Sequence, residues 1–193
     1  MRILTLANQI TIVRILLIPV FVLLVVYDHP GWALTIFATA GITDALDGVI
    51  ARRTGSRTSL GAWLDPMADK LLVVTAVVVL TLPAVNVMHH LPVWLTVLII
   101  SRDVIIVAVV AVVNMAMGPR TFRPSLLGKL ATGTYVVTVV VFLFFNWRRQ
   151  PSLLIDGVVW CALALTLASG IDYIARIRRL VNEPHEVADS TRS

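Results

Sequence analysis

The chain has 193 residues, 58% of them hydrophobic, with 16 Lys and Arg against 11 Asp and Glu and a formal net charge of +5. At a mean hydropathy of +0.89 it carries more apolar surface than one soluble core of this size buries, which excludes an ordinary water-soluble domain and leaves lipid to cover the rest. The basic excess follows the ends of apolar stretches and forms no separate basic domain, so it reads as membrane topology and phosphate affinity, with no nucleic acid as partner.

Six apolar stretches follow in order, near 8–27, 33–52, 59–82, 92–117, 125–146 and 153–175, each long enough to cross a bilayer as a helix, for which about 20 residues suffice. Turn chemistry separates them, with His29-Pro30-Gly31, Thr54-Gly55-Ser56, Pro83, Pro92, Gly118-Pro119 and Pro151 in the breaks. The pattern predicts an all-α integral membrane protein with six transmembrane helices. Residues 1–181 form one membrane domain and 182–193 a polar, disordered tail. The first stretch is too long for a signal-peptide core and reads as a helix of the mature protein.

Lys and Arg collect on cytoplasmic helix ends. One side holds Arg2, Arg52, Arg53, Arg57, Arg120, Arg123, Lys129, Arg176, Arg178, Arg179 and Arg192, and the other only Arg148 and Arg149. Both termini are therefore expected in the cytoplasm. Trp32, Trp94, Trp147 and Trp160 read as interface anchors, and Cys161 as inert packing. His89 and His90 read as a solvated far-side pair, and Asp156 and Asp172 as capping or solvated acids.

Charges inside membrane segments are costly and therefore candidates for function. Asp44 and Asp47 fall three apart on the second stretch, Asp65 and Asp69 four apart on the third, so each pair shares a helix face. Counted from the nearer helix ends at 1.5 Å per residue, all four lie about 9 to 16 Å deep. A short loop makes the two helices antiparallel neighbours, so the acids are expected to converge. Four carboxylates in a low dielectric repel unless cations compensate them. Hard oxygen ligands without Cys or His favour Mg²⁺, Mn²⁺ or Ca²⁺, and four of them suffice for two ions, a common arrangement in phosphoryl transfer. Gly48, Ala51, Gly61 and Ala62 give room for close approach, and Arg52 stands where a phosphate can meet it. On the fourth stretch, Arg102 is expected to point into a substrate cavity and Asp103 to be its structural partner, while Lys70 balances local charge.

Together these residues spell Asp44-x2-Asp47-Gly48-x2-Ala51-Arg52-x8-Gly61-x3-Asp65-x3-Asp69. The pattern resembles the signature of the CDP-alcohol phosphatidyltransferase family at all eight fixed positions. Asn8-Gln-Ile-Thr11-Ile-Val-Arg14 with Pro19, and Pro124-Ser125-x2-Gly128-Lys129, are similar to stretches of the family's first and fifth helices. The resemblance implies a six-helix core acting at the cytoplasmic face of a bacterial inner membrane. Asp44, Asp47, Asp65 and Asp69 would ligate two Mg²⁺ or Mn²⁺ ions, with Asp69 also the catalytic base. Gly48, Ala51, Arg52 and Gly61 would bind the CDP-diacylglycerol donor. An acceptor hydroxyl would attack its β-phosphorus and CMP would leave, in phospholipid biosynthesis. A homodimer is the assembly the family implies.

The chain looks most like the small bacterial branches that make phosphatidylglycerophosphate or cardiolipin. Arg102, Arg120, Arg123 and Lys129 are candidates for an acceptor phosphate, which favours glycerol-3-phosphate. Arg102-Asp103 and Gly128-Lys129-Leu130-Ala131-Thr132 depart from the Arg-Glu and the extra lysine associated with phosphatidylglycerophosphate synthases. That keeps phosphatidylglycerol, the acceptor of cardiolipin synthases, as the alternative, with inositol phosphate third. A cation-coupled transporter is the reading from another class.

Overall fold

The computed structural model describes residues 6–54, 59–117 and 125–182. They form six α-helices: α1 (Leu6–Val26), α2 (Pro30–Thr54), α3 (Ser59–Thr81), α4 (Val93–Met117), α5 (Leu126–Arg148) and α6 (Leu153–Asn182). There are no strands among the described residues.

The turn from α1 to α2 shows why the chain reverses there. Tyr27 N–H bonds Leu23 O at 2.8 Å and His29 N–H bonds Leu24 O at 2.7 Å, while Asp28 takes a left-handed φ of 60°, a conformation Asp tolerates better than most residues. Pro30 then opens α2, where its missing N–H is no loss. At the other end of the bundle, Ser125 caps α5 by accepting the Gly128 N–H at 2.9 Å.

α5 and α6 pack along matched stripes. Ala131, Tyr135, Thr138, Phe142 and Asn146 are buried on α5, and Ile155, Val159, Ala162, Thr166 and Ser169 on α6. Both stripes advance by steps of three or four, the spacing that keeps a seam between two helices. Small residues, Ala131 and Ala162, let the axes approach. Tyr135 donates to Thr166 Oγ1 at 2.8 Å, and Thr166 donates to Ala162 O at 2.6 Å, so the seam's buried hydroxyls are satisfied.

α1 is the central helix of the other half. It packs on both α2 and α3, burying Phe21 and Val25 completely and stacking Phe21 on Phe37 of α2 at 5.9 Å between ring centres. α2 and α3 were expected to meet at their acid-bearing ends, where the side chains lie outside the described residues; among the described residues both helices pack on α1 and on α5.

Large apolar side chains including Leu16, Trp32, Val104, Leu154 and Ile171 stand on the outside, which only a lipid surround makes tolerable. Among the described residues three helices are long and apolar enough to cross a membrane, Val93–Val112, Leu126–Arg148 and Leu153–Arg176. Thr11–Val26 and Lys70–Thr81 are shorter apolar runs. Trp32, Trp94, Trp147 and Trp160 are exposed at the same end of the bundle, forming one aromatic belt.

That end is also stitched by polar contacts. The buried Asn146 amide accepts from His89 N–H at 2.7 Å and donates to His89 O at 3.0 Å. His89 Nε2 lies 3.0 Å from Gln150 O and His90 Nε2 lies 3.1 Å from Val85 O. The pair expected to be merely solvated is therefore structural, pinning the α3–α4 connection to the end of α5. Cys161, expected as packing, is exposed on α6. Asp172 pairs with Arg176 one turn on at 3.0 Å, and Asp156 lies in the first turn of α6, where an acid complements the helix dipole.

Candidate active site

α2 runs unbroken through Asp44, Asp47, Gly48, Ala51 and Arg52, and α3 through Gly61, Asp65 and Asp69. Continuous helix fixes their register: positions three or four apart sit within about 60° of one another around the axis. The side chains of these eight residues lie outside the described ones. The donor set, four carboxylates on two helices, fits a hard divalent cation and suits neither zinc nor copper.

At the same end, four helices bring polar side chains together. Arg102, near the middle of α4, has only 10% of its side chain exposed. Its Nη1 donates to Asp103 Oδ1 at 2.7 Å, and Nη2 donates to Ser169 on α6. Asp103 Oδ2 lies 3.1 Å from Lys70 Nζ on α3. α5 closes the cluster from the fourth side: a Cβ on Gly128 would stand 3.2 Å from Arg102 Nη2 and 3.2 Å from Ser125 Oγ. Glycine at 128 is thus what lets the guanidinium lie against the amino end of α5, where unpaired N–H groups favour anions. Arg102 Nε is buried with no hydrogen-bond partner among the described residues, a donor left over in a site otherwise satisfied.

Among the four residues expected to meet an acceptor, the structure puts Arg102 beside the 125–129 stretch and leaves Lys129 exposed on α5. Arg120 and Arg123 lie outside the described residues. Asp103 is engaged twice, as a partner for both Arg102 and Lys70, so two cations share one anion there.

Arg14 was passed over as a site residue. It is 3% exposed on α1, eight residues from the start of a helix that packs against both α2 and α3. At 1.5 Å per residue that is about 12 Å in, level with Asp65 and Asp69 on the parallel α3. An arginine inside an apolar run was the signal available in the sequence.

The opposite end holds a cavity of about 470 Å³ lined by Asp28, His29, Trp32, Trp147 and Arg149 among others. Asp28 and Arg149 already form an ion pair there.

Residues 4–168 match the model of the CDP-alcohol phosphatidyltransferase family. The chain belongs to that family. It is a transferase enzyme of phospholipid biosynthesis and, with its three apolar helices, a membrane protein. Family members take CDP-diacylglycerol and an alcohol acceptor and work with divalent metal ions. The chain is 38% identical over 188 residues to a probable phosphatidylglycerophosphate synthase of Mycobacterium tuberculosis, covering 92% of this chain and 84% of the relative. It is 30% identical to the CDP-diacylglycerol–glycerol-3-phosphate 3-phosphatidyltransferase of Bacillus subtilis, over 89% and 94% of the two chains. It is also 30% identical to a CMP-forming cardiolipin synthase of Streptomyces coelicolor, over 93% and 86%.

Proposed function

We propose that this phosphatidyltransferase moves the phosphatidyl group of CDP-diacylglycerol to glycerol-3-phosphate, forming phosphatidylglycerophosphate and CMP. What carries this reading is near full-length similarity to relatives named for that reaction in two distant bacterial groups. The Arg102 cluster at the amino end of α5 adds a basic, donor-rich place for an acceptor phosphate.

In this account Asp44, Asp47, Asp65 and Asp69 hold two Mg²⁺ or Mn²⁺ ions. When bound, the ions neutralise the pyrophosphate and the charge developing on the leaving CMP. Gly48, Ala51 and Gly61 leave room for the cytidine diphosphate and Arg52 meets its phosphates. Asp69 takes the proton from the acceptor hydroxyl as its oxygen attacks the β-phosphorus. Arg102, Arg120, Arg123 and Lys129 orient the acceptor phosphate, and bringing the two reactants into line supplies much of the rate. Residues 1–181 form the catalytic membrane domain, with six spans, both termini and the signature at the cytoplasmic face of a bacterial inner membrane, and two copies assemble as a dimer. Residues 182–193 form a disordered tail.

Arg102-Asp103 and the Streptomyces relative favour one second reading, a cardiolipin synthase with phosphatidylglycerol as acceptor. Mass spectrometry of the lipid product, with glycerol-3-phosphate, phosphatidylglycerol or inositol phosphate supplied separately, decides between them. Phosphatidylglycerophosphate supports the proposal, and cardiolipin or a phosphatidylinositol phosphate overturns it.

A further inference from the structure

Asp103 divides one carboxylate between cations on two helices. Oδ1 holds Arg102 at 2.7 Å and Oδ2 holds Lys70 at 3.1 Å. Arg102 is further tied to Ser169 on α6 and lies against Gly128 on α5, so its guanidinium is held among α4, α5 and α6, and among the described residues Asp103 is its link to α3. Lys70 is the residue that follows Asp69. Among the described residues, a displacement between α3 and α4 therefore reaches the buried arginine through the Asp103 side chain, 17% exposed.

Charge makes the link directional. Without the carboxylate, the mostly buried Arg102 guanidinium loses its counter-charge and the half-exposed Lys70 is released from it. The Arg102 side chain, mostly buried, then reorients around Ser169. Its unpartnered Nε would then change direction. Loss of a charge-assisted bond at a site that binds an anion translates into roughly tenfold in affinity.

We infer that Asp103 is a positioning residue that sets the placement of Arg102 relative to α3 and thereby tunes affinity for the phosphate of the acceptor, without touching the donor. This deepens the acceptor reading above and rests on it. The test uses the purified full-length enzyme in detergent with CDP-diacylglycerol and Mg²⁺, first finding which acceptor supports CMP release. If glycerol-3-phosphate does not, the acceptor reading fails, and the role of Asp103 is then judged on the acceptor that does. Asp103→Asn is expected to raise the acceptor KM about tenfold with the donor KM within about twofold, and Asp103→Glu to recover most of that loss. Donor and acceptor KM rising together, no change in either, or no recovery by Glu overturns the inference. Should Asp103→Asn fail to fold, Ser169→Ala frees the same guanidinium from α6. It is expected to raise the acceptor KM severalfold with the melting temperature nearly unchanged, and an unaltered acceptor KM overturns the inference.

Discussion

Replacing Asn146 by Ala isolates the structural role of the end remote from the signature. Asn146 is 2% exposed and its amide makes both backbone bonds to His89, 57 residues earlier in the chain. Each bond contributes about 0.5–1.5 kcal/mol net, and the half-buried His89 groups left behind add a desolvation cost, giving about 2–4 kcal/mol in total. For a chain of this size, about 2–4 °C accompanies each kcal/mol, so thermal unfolding in detergent should begin roughly 4–16 °C lower. Turnover measured well below that temperature should stay near wild type, because the clamp and the signature lie at opposite ends of the bundle. A melting temperature within about 1 °C of wild type would refute the reasoning. So would lost turnover at an unchanged melting temperature.

Other consequences follow from single contacts. Gly31→Ala places a Cβ 2.7 Å from the Trp147 ring, which must shift; overpacking of this kind costs about 1–3 kcal/mol, to be read as a lower melting temperature with catalysis retained. Tyr135→Phe removes the hydroxyl that donates to Thr166 and should cost about 1 kcal/mol in the same assay, whereas an unchanged midpoint would show that the seam does not depend on that bond. Asp69→Asn should abolish turnover at preserved fold; substantial residual CMP release would remove Asp69 both as base and as metal ligand. Chelation by EDTA should stop the reaction and Mg²⁺ or Mn²⁺ restore it, and turnover that survives exhaustive chelation contradicts the metal assignment.

The helices were legible because the chain punctuates them. Pro30, Pro83, Pro92 and Pro151 fall at breaks, and the expected stretch 59–82 differs from α3, Ser59–Thr81, by one residue. α6 ran on to Asn182, past the expected 175, since its polar final turns no longer carry the apolar signal used to bound it. The signature was equally legible, as intramembrane acids at helical spacing admit few bland explanations. The connections between distant residues were hidden. Nothing local joins Lys70 to Asp103, Arg102 to Ser169, or Asn146 to His89, and their pairing exists only once α1 has taken the central place between α2 and α3 and α5 has seamed onto α6. Arg14 shows the same limit: its charge was visible in the sequence, but its burial at the level of Asp65 and Asp69 required the packing.

The account's central claim is tested most directly by CMP release from purified protein given CDP-diacylglycerol, Mg²⁺ and, in parallel, no acceptor, glycerol-3-phosphate or phosphatidylglycerol. The account predicts release that requires metal and rises sharply with glycerol-3-phosphate alone. Folded protein that releases no CMP with any acceptor, or releases it only with phosphatidylglycerol, contradicts it.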